Sequence, residues 1–407
     1  MSDQSALVLP ALRTCPYAPP AEYQELREQA PISRVTLPTG RTAWALTRHE
    51  DIRAMLTDPR FSSDRTDPRY PVMVEGQQKV AADFRPSLIS MDAPEHGPAR
   101  RAVVGEFTVR RMNELKPRIQ EIVDEHIDAM LAGPQPVDLV QALSLPVPSL
   151  VICELLGVPY ADHDFFQSRS TELLRRTNST EQRVRARDDL RSYLDKLITE
   201  KEREPGDDLL SRQILKQRES GEAQHETAEA RHEDLVGLAF LLLIAGHETT
   251  ANMISLGTLA LLEHPEDAAA LREDPSKTLG AVEELLRYYT IVEFATSRLA
   301  TADVELGGVL IREGEGVVTL AVSGNHDPDV FDRPEELNIE RGARNHVAFG
   351  FGAHQCLGQN LARLELQIVF DTLLRRIPGL KSGVPTDELP FKDDSNIYGL
   401  YEFPVTW

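Results

Sequence analysis

Apolar residues in the middle of the chain recur every three to four positions, which is the period of an amphipathic helix. The pattern predicts helices over 98–132, 137–157, 163–175, 181–203, 208–217, 232–263, 265–272 and 277–289. A further short helix is predicted over 48–57, and another begins just after residue 356. Helix therefore dominates the middle of the chain.

Strand patterns lie towards the two ends of the chain. Residues 32–47 place β-branched and aromatic residues on either side of a Pro-Thr-Gly turn, which predicts a hairpin, and alternating patterns return over 297–320 and 396–407. Residues 58–90 are rich in Pro, Asp, Arg and Ser and predict a long loop of the kind that forms lids or binding loops. Because strands from both ends flank one helical mass, we expect a single α+β domain, mainly α, over 1–407.

The composition excludes several classes of protein. The chain has 407 residues, of which 41% are hydrophobic and 27% charged, so a soluble globular protein is expected. Its net charge of −21 repels nucleic acid. The longest uncharged apolar run, 235–246, is too short for a membrane span of about 20 residues, and the N-terminus fits neither a signal peptide nor an anchor. We therefore expect a cytoplasmic protein without a membrane anchor.

One of the three cysteines stands in an unusual sequence. No Cys-x-x-Cys spacing occurs, so neither a disulfide framework nor a Cys-rich zinc site is expected, and Cys15 and Cys153 fit the role of small hydrophobic residues. Cys356 lies in the glycine-rich segment 349–358, directly before a predicted helix. Amide groups at a helix N-terminus stabilise a thiolate, and the glycines leave room for a large flat ligand. This arrangement suits a thiolate ligand of haem iron.

The segment F-x-x-G-x-H-x-C-x-G resembles the haem-thiolate signature of the cytochrome P-450 monooxygenases, in particular soluble actinobacterial members. Its Phe, Gly, Cys and Gly at these offsets would match by chance in roughly three of ten thousand chains of this composition. The resemblance runs from about residue 10 to the C-terminus. It implies a single large helical fold with small β-sheets at one side, and haem b bound by Cys356 with Phe349, Gly352 and Gly358 beside it.

A polar island, Ala-Gly-His-Glu-Thr-Thr at 245–250, interrupts an otherwise apolar predicted helix, and buried polar groups are costly without partners. One interpretation is a helix kink at the glycine, with threonines bonded to the preceding turn. The other is a kinked helix that opens a groove for dioxygen while an acid and an alcohol pass protons inward, since O–O cleavage needs protons without bulk water. The resemblance implies that role for Glu248 and Thr249, with Ala245 beside the haem. A zinc site of the H-E-x-x-H type is excluded because the fifth residue is Ala251.

Glu284 and Arg287 are three residues apart, a spacing that by itself fits an exposed ion pair. In the family such a pair lies buried behind the haem with a third, basic partner, and here that partner is expected to be Arg341. Many relatives have arginine where this chain has Glu336.

Haem propionates need cationic hydrogen-bond donors, and the resemblance assigns this role to His96, Arg100, Arg298 and His354. It also implies substrate-pocket walls formed by the loop 58–90 and the segment 165–174. The individual residues expected to line the pocket are Leu88, Ile89, Leu242, Ile291, Val292, Ala295, Ile397 and Tyr398.

The resemblance implies a monooxygenase that activates dioxygen with externally supplied electrons and hydroxylates or epoxidises a bulky hydrophobic molecule, polyketide-like or steroid-like. The chain has no Gly-x-Gly-x-x-Gly fingerprint and no cysteine set for an iron–sulfur cluster, so ferredoxin and ferredoxin reductase are the expected partners. The alternatives are a peroxide-driven haem peroxygenase, which normally lacks the acid–alcohol pair, and a non-catalytic haem sensor or carrier. A monomer is expected.

Five arginines are candidates for a basic patch that binds an acidic ferredoxin, although scattered solvated arginines explain them equally well. They are Arg101, Arg110, Arg111, Arg344 and Arg363.

Overall fold

A computed structural model describes residues 7–82, 85, 87–219 and 227–407. Its α-helices are α1 Ala21–Gln29, α2 His49–Thr57, α3 Gln77–Ala82, α4 His96–Val104, α5 Val109–Ala132, α6 Pro146–Leu156, α7 His163–Leu174, α8 Thr180–Arg203, α9 Leu209–Glu219, α10 Ala228–Glu263, α11 Pro265–Glu273, α12 Thr278–Tyr289, α13 Ala321–Asn325 and α14 Gln359–Arg376. Its strands are β1 Ile32–Thr36, β2 Thr42–Leu46, β3 Phe61–Ser62, β4 Val137–Asp138, β5 Arg298–Ala300, β6 Val304–Leu306, β7 Val309–Ile311, β8 Gly316–Thr319, β9 Lys381–Ser382 and β10 Pro404–Thr406. The expected mainly helical α+β class is confirmed.

Helix α10 forms the centre of the helical mass. It packs against α6, α8 and α14 and is buried throughout 251–261. Gly257 allows a close approach, because a Cβ there would lie 2.4 Å from the ring of Phe370. With 36 residues, α10 is long and apolar enough to cross a membrane, yet 56% of its most apolar window is buried inside the protein. These contacts make it a core helix.

The largest sheet joins strands from both ends of the chain, in the order β1-β2-β8-β5-β3. β1 and β2 pair antiparallel with Ile32 opposite Leu46, which confirms the predicted hairpin. β2 then pairs parallel with β8, where Trp44 lies opposite Val317. A second sheet has the order β4-β10-β9, and β6 pairs with β7. The predicted recruitment of early and late strands into one sheet is therefore confirmed.

Two of the predicted helices are broken. The helix predicted over 98–132 is divided between α4 and α5, because Thr108 adopts extended backbone and its side chain accepts a hydrogen bond from the Arg111 amide, which caps a new helix. The helix predicted over 137–157 is wrong at its start. There β4 pairs with β10, a π-helical turn follows over 140–144, and α6 begins at Pro146. Proline is favoured at a first helical position because its missing N–H would have no partner there.

The region 58–90 is not a continuous loop, since β3 pairs with β5 and α3 packs against α8. Residues 83, 84 and 86 of that region, and residues 1–6 and 220–226 of the predicted domain, lie outside the described residues. Helix α1 was not predicted, because its sequence AEYQELREQ carries too few apolar residues to show a period.

Candidate functional site

Cys356 follows a tight turn that precedes α14. Its amide N–H donates to the Phe349 carbonyl oxygen at 2.8 Å. Gly350 and Gly352 have φ values of 68° and 72°, in the left-handed region that favours glycine. A Cβ on Gly352 would lie 2.6 Å from the carbonyl oxygen of Leu56. Glycine is thus required for this turn to pack beneath α2.

Several groups around Cys356 favour its anionic form. Burial raises the pKa of the thiol, whereas hydrogen bonds from the backbone amides of Gly358 and Gln359 and the charges of Arg100 and Arg363 lower it. The net shift of the pKa is upward. The local donors and cations therefore offset part of the cost of burying a thiolate, and a metal cation bound to the sulfur would offset the remainder.

The other two cysteines lack this environment. Burial in α6, followed by the charges of Asp162 and Glu154, raises the pKa of Cys153 to about 12. Cys15 is exposed. Cys356 is accordingly the cysteine best suited to bind a metal as thiolate.

A buried ion cluster holds the ring of Phe349. The Arg363 guanidinium lies 4.6 Å from the ring centroid, and the His346 ring lies 5.7 Å away. Glu283 accepts from Arg363 Nε at 2.5 Å and is 3.1 Å from His346 Nε2. Burial raises the pKa of Glu283, but the bonds to His346 and Arg363 prevail and lower it to about 2.

The four predicted propionate contacts lie together beside this turn. The rings of His96 and His354 stack at 4.1 Å, and Arg100 Nη2 donates to the Gln355 carbonyl at 2.6 Å. Burial, followed by the charges of Arg298, His96 and Arg100, lowers the pKa of His354 to about 3. His96 Nε2 is buried and has no hydrogen-bond partner among the residues that the structure describes. These arginine and histidine side chains are hydrogen-bond donors held close together, and their charges disfavour one another. A ligand that carries carboxylates would fit them, because it would supply acceptors and negative charge.

The polar island lies within α10, and the predicted bond from a threonine to the preceding turn is present. Thr249 Oγ1 donates to the Ala245 carbonyl at 2.8 Å. Ala245 is exposed and Thr249 half-buried, although Leu243 and His247 on the same helix are each 1% exposed. One face of this core helix therefore borders open space.

Gly246 has a packing role in the same stretch. A Cβ there would lie 2.8 Å from Cδ1 of Ile152, so glycine lets α6 approach α10 closely.

Glu248 is the buried acid of the island, at 4% exposure. Its Oε1 accepts from Thr171 Oγ1 at 3.3 Å, and its Oε2 accepts from Asn252 Nδ2 and Lys392 Nζ, each at 3.3 Å. Burial raises its pKa, but the charges of Lys392 and His247 and the bonds from Lys392 and Asn252 outweigh burial, so its pKa is lowered. Sequence reasoning missed Thr171 and Lys392, which stand in no motif.

Glu284 and Arg287 form a buried pair with both side chains at 0% exposure, so the exposed alternative is wrong. Arg287 Nε and Nη2 donate to the two carboxylate oxygens at 2.8 and 2.7 Å, and Arg341 Nε donates to Oε1 at 3.0 Å. Arg287 Nη1 also donates to the Asn325 carbonyl at 2.8 Å, and Asn325 Oδ1 accepts from the Val347 amide at 2.8 Å. The cluster thereby anchors the segment leading to the cysteine turn.

The expected pocket residues divide into two groups. Val292 and Ile397 form a β-bridge, and the Tyr398 amide donates to the Ile291 carbonyl at 3.0 Å, so these four lie side by side. The Tyr398 hydroxyl, however, donates to the Pro16 carbonyl at 3.2 Å, which directs that side chain towards the N-terminal segment.

The remaining expected pocket residues come from separate segments. Leu242 on α10 is 8% exposed, and Leu88, Ile89 and Ala295 are half-buried. The backbone of Leu88 hydrogen-bonds His354, which places this part of the 58–90 region beside the basic cluster.

Three members of the predicted basic patch pair with acidic side chains, among them Arg110, whose Nε lies 3.6 Å from Glu114 Oε1. Arg363 is bound to a buried glutamate, and Arg111 Nη1 pairs with Glu114 at 2.6 Å. Arg101 and Arg344 are exposed, and the side chain of Arg110 is 91% exposed.

Comparison with known proteins identifies the family. A sequence profile described as cytochrome P-450 matches residues 18–378. The chain belongs to the cytochrome P-450 family. Pentalenic acid synthase of Streptomyces avermitilis is 50% identical to this cytochrome P-450 over 406 residues, covering 100% of this chain and 98% of its own.

Solved cytochrome P-450 structures share the fold. MoxA from Nonomuraea recticatena has a TM-score of 0.90 and 59% identity, with 98% of each chain covered. MycCI from Micromonospora griseorubida, bound to mycinamicin VIII, has a TM-score of 0.92 and 42% identity, covering 98% of this chain and 100% of its own.

The family is haem-thiolate, with a cysteine ligating the haem iron, and this cytochrome P-450 is accordingly a monooxygenase. Bacterial enzymes of this type generally receive electrons from a ferredoxin and its reductase. The residues fit the cofactor, since the four basic side chains beside the cysteine turn, with a His96 nitrogen that has no partner among the described residues, suit propionates, and Ala245 leaves one face of α10 exposed.

Proposed function

We propose that Cys356 ligates the haem iron of this monooxygenase. The observation that carries the proposal is the set of amides and cations that offset part of the cost of burying its thiolate, a set not found for Cys15 or Cys153 among the described residues. When bound, haem supplies the activation of dioxygen by two electrons and the insertion of one oxygen atom into the substrate. The whole chain, 1–407, forms one domain around this site.

The surrounding residues hold the cofactor. Arg298, Arg100, His96 and His354 would donate hydrogen bonds to the propionates. Phe349, Gly352 and Gly358 at the cysteine turn would lie beside the flat macrocycle, and Ala245 on α10 would contribute to the same site.

Glu248 and Thr249 deliver protons to the reacting oxygen. The Thr249 hydroxyl lies on the open face of α10, and its oxygen keeps lone pairs to accept a proton while its own proton is passed inward. Glu248 takes up a proton from the solvent side and passes it on, and burial excludes bulk water. A peroxygenase or a haem carrier has no need of this pair, so its presence supports a monooxygenase that uses dioxygen.

The substrate is a bulky hydrophobic small molecule of polyketide-like or steroid-like character, which is hydroxylated or epoxidised. The apolar side chains of Leu242, Ile291, Val292 and Ile397 support this class, as do relatives named for pentalenic acid and bound to mycinamicin VIII.

Electrons come from a ferredoxin and a ferredoxin reductase in the cytoplasm, and the protein is a monomer. The docking face includes the exposed Arg101 and Arg110, with the apolar Val104 and Val109 exposed beside them at 42% and 63%. An acidic ferredoxin complements this local charge despite the overall net charge.

The ligand assignment is tested by Cys356→Ser with Cys15→Ser as control. The carbon monoxide complex of the reduced wild type should show the red-shifted Soret band of a thiolate-ligated haem. The Cys356 variant should lose it and the Cys15 variant should keep it. A Cys356 variant that retains the band refutes the assignment.

Proton delivery is tested by Thr249→Ala, with the neighbouring Thr250→Ala as a matched control. With ferredoxin, reductase and NADH, the Thr249 variant should bind haem normally but divert reducing equivalents to hydrogen peroxide. Equal peroxide yields from the wild type and both variants would remove Thr249 from the pathway. A ligand screen by the low-spin to high-spin haem shift would identify the substrate class.

A further inference from the structure

Lys392 approaches the buried acid Glu248 from a distant part of the chain. Its Nζ lies 3.3 Å from Glu248 Oε2, and the two side chains are 10% and 5% exposed. A carboxylate this buried needs a partner, because desolvation strongly disfavours its charged form. The cation comes from a residue 144 positions away, not from the same helix.

The segment 391–400, here termed the C-terminal hairpin, holds Lys392 in place. Phe391 bridges Leu400, and the Lys392 amide donates to the Gly399 carbonyl at 2.8 Å. A Cβ on Gly399 would lie 1.8 Å from Asn252 Oδ1, so this strand packs directly against α10 beside the acid.

The other side of the hairpin is bound to the end of α7. The Arg176 amide donates to the Asp394 carbonyl at 2.8 Å, and Arg175 Nε donates to Asp394 Oδ2 at 2.9 Å. Helix α7 also supplies Thr171, the second neighbour of the acid. The ammonium of Lys392 is therefore positioned by contacts from two helices.

The present contacts of the acid and the alcohol are separate. The Glu248 carboxylate accepts from Thr171, Asn252 and Lys392, whereas the Thr249 hydroxyl donates to the Ala245 carbonyl. Among the described residues no hydrogen bond joins the acid to the alcohol, so a direct transfer between them requires the carboxyl group to move.

We infer that Lys392 is a positioning residue for proton delivery, which keeps Glu248 ionised and turned towards the C-terminal hairpin until it takes up a proton. Uptake of one proton makes the carboxyl neutral and removes its attraction to the ammonium, so the acid is free to turn. Donation of that proton restores the carboxylate and the ion pair. The inference rests on the proposed role of Glu248.

The charged and titratable groups around Glu248 make this cycle testable. Lys392 from the C-terminal hairpin and His247 from α10 both favour its ionised form, and Thr171 and Asn252 are neutral donors. Burial is already the largest single influence on the pKa of this carboxyl, and removal of Lys392 takes away the largest influence that opposes it, so the pKa should rise.

The test uses the haem-loaded Lys392→Met and Lys392→Arg variants, with Lys381→Met as a control because Lys381 is exposed. Infrared difference spectra at neutral pH should show a protonated-carboxyl C=O band in Lys392→Met. The band should be absent in the wild type, in Lys392→Arg and in Lys381→Met. It should vanish when Glu248→Gln is added to Lys392→Met. Absence of the band from a folded, haem-loaded Lys392→Met overturns the inference.

A second measurement follows oxygen consumption against pH, with NADH, ferredoxin and reductase and no added substrate. In Lys392→Met, the fall in rate on the alkaline side of the profile should move to higher pH, because Glu248 would keep its proton up to a higher pH. In Lys392→Arg, the fall in rate should occur at the same pH as in the wild type. If Glu248→Gln alters the profile but Lys392→Met does not, Lys392 has no positioning role. If Glu248→Gln leaves the profile unchanged, the proposed proton delivery fails, and the infrared result still decides whether Lys392 holds the acid ionised.

Discussion

Replacing Glu284 with glutamine perturbs the buried cluster that anchors the cysteine turn. The carboxylate accepts hydrogen bonds from Arg287 Nη2 at 2.7 Å, Arg287 Nε at 2.8 Å, the Asn338 amide at 3.0 Å and Arg341 Nε at 3.0 Å. Glutamine keeps the volume but removes the charge. It also places an NH₂ group where one carboxylate oxygen accepted a bond, so a donor faces a donor.

The cost follows from the burial of Arg287, whose side chain is 0% exposed. Breaking a buried ion pair by altering one partner costs about 3–5 kcal/mol, because the other charge stays buried without compensation. For a chain of 407 residues, with an unfolding entropy of about 2.1 cal/mol/K per residue, this corresponds to a fall of about 4–6 °C in melting temperature.

The assay is thermal unfolding followed by circular dichroism and by loss of the Soret band. Glu121→Gln is the control, because Glu121 also pairs with an arginine three residues away, Arg118, but is 64% exposed. The Glu121→Gln substitution should lower the free energy of unfolding by less than about 1 kcal/mol, because exposed ion pairs contribute little to stability. Equal melting temperatures for the two variants would refute the argument that burial determines the strength of the Glu284 pair.

Three further predictions concern the cofactor side of the fold. The pKa of Glu283 is lowered to about 2, so its stabilising contribution of about 2–3 kcal/mol is present above the unfolded carboxyl pKa of about 4.3 and lost as the pH falls towards 2. The free energies of unfolding of wild type and Glu283→Gln should converge over that range. Gly352→Ala should lower the free energy of unfolding by at least about 1–2 kcal/mol, because φ at this position is 72° and the added Cβ would meet the Leu56 carbonyl oxygen. An unchanged melting temperature would contradict this prediction. Arg298→Met should speed haem transfer to apomyoglobin by about tenfold to a hundredfold, as loss of charged hydrogen bonds implies, whereas exposed Arg333→Met should not.

The positions of most core helices were predictable, because a helix buried on one side carries apolar residues every three to four positions. This period can be recognised in a short stretch of sequence. The predicted 163–175 and 181–203 agree with α7 and α8 to within one residue at each end. The prediction over 98–132 failed because a single capping threonine, Thr108, ends one helix and starts another without disturbing the apolar period.

Cys356 could be found from sequence because its requirements are local. The glycines that need left-handed backbone and the amides that favour a thiolate lie within a few residues of it. Arg363 could not be assigned in the same way, since its chemistry depends on Glu283, which lies 80 positions away.

By itself the sequence determined where most of the helices run, which cysteine suits a metal and where a polar island interrupts the core helix, because periodicity, turn geometry and helix-end chemistry depend on neighbours along the chain. Only the tertiary structure decided that Glu284 and Arg287 are fully buried and that Lys392 neutralises Glu248. The burial and pairing of a charge depend on which distant segments fold over it. A spacing of three residues on a helix is the same for an exposed pair and for a buried one.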